Sequence, residues 1–128
     1  ERERKGTVSW RGIAGYSLAG LFALYSLYQT DLFSRAASMS GSLWYPGITE
    51  YISSHTIKKV PDCLYFSLGN KEARTRNAYM KTVQENTEKI EEYYRGKGIS
   101  TVFQLNPGNH YKDAEKRTVA GIHWLLDR

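Results

Sequence analysis

Three residues of the types that cooperate in nucleophilic catalysis follow one another along the chain: Ser17, Glu72 and His110. A serine hydroxyl is a weak nucleophile until an imidazole takes its proton, and the imidazole needs a carboxylate to hold its tautomer and stabilise its cation. Ser17 lies in GYSLAG, with the small residues Gly15, Ala19 and Gly20 close by, and it directly precedes the apolar run 18–28. This pattern predicts a nucleophile on a tight turn from a strand into a helix.

Each of these residues also has a non-catalytic interpretation. Ser17 could serve only as a helix N-cap, since serine favours that position before an apolar run. His110 could be a solvent-facing loop residue, and Glu72 could pair with Arg74 or Arg76 on the surface. Asp113, which follows His110 closely, is the alternative acid. The remaining histidines fit the role of base less well: His55 follows two serines, and His123 lies inside a predicted helix.

The elements that carry these residues alternate between strand and helix. Strands are predicted at 7–15, 32–41, 62–69 and 99–106, and helices at 18–28, within 43–55, at 77–97 and at 114–128. This order indicates an α/β fold, with a parallel sheet and helices on both faces. Ligands bind beyond the carboxyl ends of such strands, and the serine, the glutamate and the histidine each follow a strand end.

Two helices have apolar patterns that predict how they pack. Residues 18–28 are apolar nearly all round, which predicts a helix buried on most sides. The last helix is predicted to dock onto the sheet through four apolar side chains: Val119, Ile122, Trp124 and Leu126.

Composition limits the classes of function. The chain has 128 residues, 41% of them apolar, which fits one globular domain. Its net charge of +5 is scattered and forms no basic stripe, so we expect no nucleic-acid partner. Cys63 is the only cysteine, and we expect it to be a buried strand thiol rather than part of a disulfide or metal site. No apolar run is long enough to span a bilayer, so we expect no membrane partner and a cytoplasmic setting.

Several short motifs of the chain resemble those of a known family. GYSLAG resembles the nucleophile elbow GxSxG of the α/β hydrolases, whose triad residues also follow the order serine, acid, histidine. The chain over residues 8–126 resembles the esterase branch that includes esterase D and the enterochelin esterases. In this comparison SGSLW resembles a site-lining segment, SLGNKE the acid loop and NPGNHYKD the histidine loop. One departure is Ala19, where the motif has glycine, with Gly20 directly after it.

The resemblance implies roles for individual residues. Ser17 would be the nucleophile, His110 the general base and Glu72 the acid that orients it, although some members of the family work with serine and histidine alone. The backbone N–H of Leu18 would bind the oxyanion. The substrate would be a small-molecule ester, and neither a metal nor a cofactor is required. The ester would lie against four further residues: Tyr16, Ser42, Trp44 and Tyr45.

The resemblance covers only the C-terminal half of a complete hydrolase, which needs roughly twice this length. We therefore expect residues 1–6 to be a charged, flexible lead-in and residues 7–128 to form a partial hydrolase domain. The first half of the sheet and the second oxyanion donor would be missing. Two functions remain: a serine esterase acting through an acyl-enzyme, or a non-catalytic domain that serves as an oligomeric or binding scaffold.

A sheet that is cut at the nucleophile strand would expose an unpaired edge and an apolar helix face. We therefore predict that the chain self-associates as a homo-oligomer or pairs with a missing N-terminal half. Light scattering at micromolar concentration should give a mass above that of one chain. A monomeric mass would contradict self-association.

Overall fold

A computed structural model describes residues 9–128, so the predicted lead-in 1–6 lies outside the described residues. The elements alternate as predicted: β1 (Gly12–Tyr16), α1 (Leu18–Gln29), β2 (Arg35–Met39), α2 (Ile48–Ser54), β3 (Cys63–Gly69), α3 (Val83–Gly96), β4 (Ser100–Asn106) and α4 (Ala114–Leu126). A 3₁₀ turn at Met80–Thr82 leads into α3.

The four strands form one parallel sheet in the order β1-β2-β3-β4. Right-handed crossovers that step in one direction along a sheet place their helices on the same face. In agreement, α1, α2 and α3 share the core on one face, and α4 packs on the other. The prediction of an α/β fold with helices on both faces is confirmed.

The two faces divide the residues of each strand by alternation. On one face Leu64 and Phe66 of β3 pack against Leu24 of α1 and Ile90 of α3. On the other face the intervening Tyr65 packs against α4. All seven residues of β3 are buried, as its continuous apolar run predicts, and these include the Cys63 thiol.

The prediction that α1 is buried on most sides is wrong. One stripe of the helix, which includes Ala23, Leu24 and Leu27, packs against the sheet and is buried. The opposite stripe is open to solvent, with Leu18 66% and Phe22 59% exposed. Apolar residues on every side of a helix show that each side could be buried, but within the described residues only one side of α1 packs against other elements.

The prediction for the docking face of α4 is confirmed for Trp124 and wrong for the other three residues. The buried positions are spaced by four residues and consist of Arg117, Gly121 and Leu125. Trp124 is partly buried, with its ring 5.7 Å from that of Tyr65. The other three apolar residues that were expected to dock are exposed: Val119, Ile122 and Leu126. Apolar periodicity failed because two of the contact positions are an arginine and a glycine.

Several element boundaries differ from the prediction. β1 begins at Gly12, whereas the predicted strand begins at residue 7, which lies outside the described residues, and β2 is shorter at both ends than 32–41. The α3 region begins with the 3₁₀ turn, because the Asn77 side chain accepts hydrogen bonds from the N–H groups of Tyr79 and Met80. Within residues 9–128, no helix is long and apolar enough to cross a membrane.

Gly20 permits the close approach of α1 to the end of β2. A Cβ atom at this position would lie 2.8 Å from Cα of Gly41 and 2.8 Å from Oγ of Ser38. The Ser38 hydroxyl also donates to the Gly20 carbonyl at 2.9 Å. Gly20 is buried whereas Ala19 is exposed, so the departure from GxSxG at Ala19 leaves this helix contact intact.

We predict that Gly20→Ala lowers the free energy of unfolding by about 1–3 kcal/mol, because the new methyl group meets backbone that cannot move aside. Urea denaturation followed by tryptophan fluorescence measures this change. Gly96→Ala is the matched control, since Gly96 ends α3 with no atom within 4 Å of an added Cβ. It should leave stability unchanged or raise it by up to about 1 kcal/mol. A Gly20→Ala variant as stable as the parent would contradict the prediction.

Candidate active site

Ser17 occupies a strained turn between β1 and α1. Its backbone has φ 62° and ψ −123°, a conformation that costs a non-glycine residue of order 1–3 kcal/mol. The turn is held by hydrogen bonds from the Ser17 N–H to the Met39 carbonyl and from the Ser42 N–H to the Ser17 carbonyl, both 3.0 Å. Because its side chain makes no capping bond to α1, Ser17 is not a conventional N-cap.

The side chains of Ser17, His110 and Glu72 form one hydrogen-bonded chain. Ser17 Oγ lies 2.9 Å from His110 Nε2, and His110 Nδ1 lies 2.7 Å from Glu72 Oε1. An ionised carboxylate can only accept, so Nδ1 carries the proton and donates to Glu72. Nε2 is then free to accept the Ser17 hydroxyl proton, which is the geometry that activates a serine.

Hydrogen bonds join the loop that carries His110 to the loop that carries Glu72. The Asn70 side chain accepts from the Gly108 N–H at 3.0 Å, and the Lys71 N–H donates to the Gly108 carbonyl at 2.9 Å. Tyr16, which precedes the serine, donates its hydroxyl to the His110 carbonyl. β4 lies at the opposite edge of the sheet from β1, so these contacts hold a loop that reaches back across the strand ends.

The side chain of Glu72 is buried and does not pair with Arg74 or Arg76 on the surface. Its side chain is only 4% exposed. While Oε1 faces His110, Oε2 accepts from the Gly69 N–H at 2.6 Å and from the Ser40 hydroxyl at 2.7 Å, and lies 3.6 Å from a guanidinium nitrogen of Arg117. Both oxygens are therefore fixed in position.

The other candidate acid and bases lie elsewhere. Asp113 is exposed at the start of α4, where its carbonyl accepts the Arg117 N–H at 2.9 Å. His55 stacks on Tyr51, with the two ring centroids 3.8 Å apart. His123 lies 3.3 Å from Asp127 on the exposed side of α4.

Opposing effects act on the pKa of Glu72. Burial raises the pKa, but hydrogen bonds from His110, from the Gly69 N–H and from Ser40, together with the charge of His110, lower it by more. The net pKa lies below the ordinary value for glutamate. Glu72 is thus held as a carboxylate that can accept the hydrogen bond from the His110 Nδ1–H.

A pocket of about 130 Å³ opens at the hydroxyl of Ser17. Ser42 and Trp44, two of the four residues predicted to line the substrate site, line this pocket together with Val83 and Tyr111. Tyr45 does not line it.

Tyr45 instead lines a larger groove of about 410 Å³ beside the exposed stripe of α1. This groove contains none of the three residues of the hydrogen-bonded chain. Tyr16 lines neither space, since its hydroxyl supports the His110 loop.

Leu18 is the first residue of α1. The N–H groups of the first helical turn have no carbonyl partner within a helix, and the helix dipole makes this end positive. The Leu18 N–H lies next to the serine at this end of the helix, and its role as an oxyanion donor stays a prediction. Within residues 9–128, no cluster of three or more His, Cys, Asp or Glu side chains could hold a metal ion.

Sequence reasoning missed two residues that hold Glu72 in place, Ser40 and Arg117. Both contact Glu72, and the two side chains lie 3.3 Å apart. Ser40 belongs to the segment SMSGS that ends β2, so its proximity to the site was a usable signal. Arg117 had no such signal, because a charged residue on a helix is normally assigned to the surface.

We predict that Glu72 contributes stability that is lost in acid. Since its pKa is lower in the folded chain than the value of about 4.3 in unfolded chains, the contribution is complete above that value and disappears as the pH falls through the folded pKa. The difference in unfolding free energy between the parent and Glu72→Gln should therefore shrink as urea denaturation is taken from pH 7 to pH 3. Glu92→Gln, at an exposed position of α3, should show little pH-dependent difference. A Glu72→Gln difference that is constant with pH would contradict the prediction.

Comparisons with solved structures agree with this fold. The enterobactin esterase FES from Shigella flexneri superposes with a TM-score of 0.67 at 18% identity, covering 91% of this chain and 31% of that one. Esterase PE8 gives a TM-score of 0.58 at 15% identity, covering 88% and 48% of the two chains. An acylaminoacyl peptidase from Pyrococcus horikoshii gives 0.60 at 12% identity, covering 94% and 24%. These similarities show that the fold is that of part of an α/β hydrolase.

Sequence comparisons identify the family. YbbA of Bacillus subtilis (strain 168) is 25% identical over 124 residues, which are 92% of this chain and 50% of that protein, so the chain spans about half the length of this relative. Residues 2–113 match the model of the family described as "Putative esterase". The predicted resemblance is confirmed, and the chain belongs to this esterase family of the α/β hydrolase fold.

Proposed function

We propose that this chain hydrolyses a small-molecule carboxylic ester through a covalent acyl-enzyme on Ser17. The observation that carries the proposal is the hydrogen-bonded chain from Ser17 through His110 to Glu72, with distances of 2.9 and 2.7 Å. Family membership supports an esterase-like function in general, and the hydrogen-bonded chain supports the serine mechanism in particular.

In the first half of the reaction, Ser17 Oγ bonds to the ester carbonyl carbon while His110 Nε2 takes the hydroxyl proton. The carbonyl oxygen becomes an oxyanion, toward which the Leu18 N–H donates a hydrogen bond. The carbonyl then re-forms, the bond to the alcohol oxygen breaks, and His110 returns its proton to that oxygen. The alcohol leaves and the acyl group remains on Ser17.

In the second half, a water molecule attacks the acyl carbon and gives a proton to His110 Nε2. Collapse of the second oxyanion breaks the bond to Ser17 Oγ, which recovers the proton from His110 as the carboxylic acid departs. Glu72 stays ionised throughout, because its role is to hold the Nδ1–H tautomer and to stabilise the imidazolium.

The residues around the serine limit the size of the acyl or alcohol group bound there. The pocket of about 130 Å³ is smaller than a drug-sized ligand site and is bordered by the Trp44 ring and the side chains of Met80 and Val83. This lining favours a short apolar or aromatic group. It does not select one natural ester.

The second candidate function is a non-catalytic oligomeric scaffold. It is favoured by the exposed apolar stripe of α1, which includes Leu18, Phe22 and Tyr25. A folded chain that associates but has no serine-dependent hydrolysis would support the scaffold.

We predict that the purified chain hydrolyses short p-nitrophenyl acyl esters and that Ser17→Ala lowers kcat at least ~1,000-fold, since removing the nucleophile abolishes the acyl-enzyme. His110→Ala should have a comparable effect. Ser53→Ala is the matched control, because Ser53 is exposed on α2. Hydrolysis that persists in Ser17→Ala would exclude Ser17 as the nucleophile.

A fluorophosphonate probe tests the same proposal without turnover. It should add its mass to the peptide that contains Ser17 in the parent and in Ser53→Ala, and it should not label Ser17→Ala or His110→Ala. Equal labelling of Ser17 in the presence and absence of His110 would show that the imidazole does not activate the serine.

A further inference from the structure

Arg117 is buried beneath the site on a helix that the reaction itself does not use. It lies in the first half of α4, and its side chain is 3% exposed. Arginine is almost never fully buried unless it is paired, because removal of its charge from water is costly. The burial of Arg117 therefore requires partners that compensate this cost.

The partners of Arg117 belong to three segments that converge at the site. Nη1 lies 3.6 Å from Glu72 Oε2 and donates to Ser40 Oγ at 3.3 Å. Nη2 donates to the carbonyl of Pro107 at 3.1 Å, in the loop that carries His110. One guanidinium thus contacts the acid, the residue after β2 and the histidine loop.

This arrangement assigns the two oxygens of Glu72 to different tasks. Oε2 is surrounded by donors: the Gly69 N–H, the Ser40 hydroxyl and the guanidinium of Arg117. Because these groups fix Oε2, Oε1 is left directed at Nδ1 of His110. Ser40 accepts from Arg117 and donates to Glu72, so the guanidinium also orients the hydroxyl of Ser40.

The position of Arg117 is set by the packing of α4. One turn further along the same face, a Cβ atom at Gly121 would collide with the buried side chain of Met39, so the helix lies close against the sheet. At the end of β3, a Cβ atom at Gly69 would come within 3.0 Å of Arg117 Nη2. Gly121 thus lets α4 approach the sheet, and Gly69 leaves space beside the guanidinium.

Stability alone is a weak explanation for this residue. Among residues 9–128, Arg117 Nε has no hydrogen-bond partner although it is buried, and such an unsatisfied donor is costly. Buried ion pairs often stabilise a fold no more than apolar residues of similar size would. The contacts that Arg117 does make are directed at the acid and at the histidine loop.

We propose that Arg117 is a positioning residue for the ester hydrolysis proposed above. It holds Glu72 and the His110 loop so that Glu72 Oε1 stays hydrogen-bonded to His110 Nδ1. It does not touch the reacting atoms. The inference rests on the proposed function for its kinetic consequence, but the arrangement itself can be tested without catalysis.

The experiment compares Arg117→Gln and Arg117→Lys with the parent chain. Arg95→Gln is the control, because Arg95 is 62% exposed on α3 and pairs with Glu91. We expect Arg117→Gln to lower kcat for a p-nitrophenyl ester by roughly 10-fold to 100-fold with little change in KM, as displacement of a catalytic group by about 1 Å does. Arg117→Lys should recover only part of kcat, since one ammonium group lacks the planar fork that reaches Ser40 and Pro107 together.

Proton NMR provides the readout that is independent of catalysis. The His110 Nδ1–H, hydrogen-bonded to a buried carboxylate, should give a low-field resonance in the parent and in Arg95→Gln. We expect this resonance to broaden or disappear in folded Arg117→Gln. If Arg117 had only a structural role, the substitution would change the unfolding midpoint but leave the resonance unchanged. Should Arg117→Gln fail to fold, Arg117→Lys provides the same comparison.

The outcomes separate this inference from the proposed function. A folded Arg117 variant with an unchanged Nδ1–H resonance would overturn the positioning role, whatever its hydrolysis rate. Loss of the resonance with kcat unchanged would overturn the kinetic consequence. A parent chain that lacks serine-dependent hydrolysis but loses the resonance in Arg117→Gln would overturn the esterase proposal and leave the role of Arg117 in holding Glu72 supported.

Discussion

The strained backbone at Ser17 is the feature on which the rest of the site depends. A serine at positive φ persists only where its surroundings outweigh the strain, and here β2 and the segment after it do so. The N–H of Ser17 donates to Met39, its carbonyl accepts from Ser42, and Gly20 brings α1 against Gly41. The same contacts that hold the turn therefore join β1, α1 and β2 into one unit.

The parallel topology explains why three distant residues meet. Because the strands are parallel, their carboxyl ends all point the same way, so the turns after β1, β3 and β4 emerge on one side of the sheet. Adjacent loops then bind to one another through Asn70 and Gly108, and Arg117 joins them from below. The sheet brings the residues near each other, whereas the loop contacts and the guanidinium determine their final alignment.

Much of the fold and of the site could be predicted from the sequence, because the signals were local. The apolar run of β3, the alternation of elements and the serine after a short strand each lie within a few residues. The packing faces of α1 and α4 could not be predicted, since they depend on what lies opposite. Arg117 illustrates the reason: its burial is compensated by Ser40 and Glu72, which lie 77 and 45 residues away in sequence.

The position of β1 and β4 at opposite edges of the sheet has a mechanical consequence. Three strand spacings separate them, about 14 Å, so the histidine loop bridges the width of the sheet to bring Nε2 within 2.9 Å of Ser17 Oγ. The loop is held there by the Tyr16 hydroxyl on the His110 carbonyl and by the bond from the Gly108 N–H to Asn70. The strands between them thus act as a spacer that sets how far the histidine loop must reach back across the strand ends.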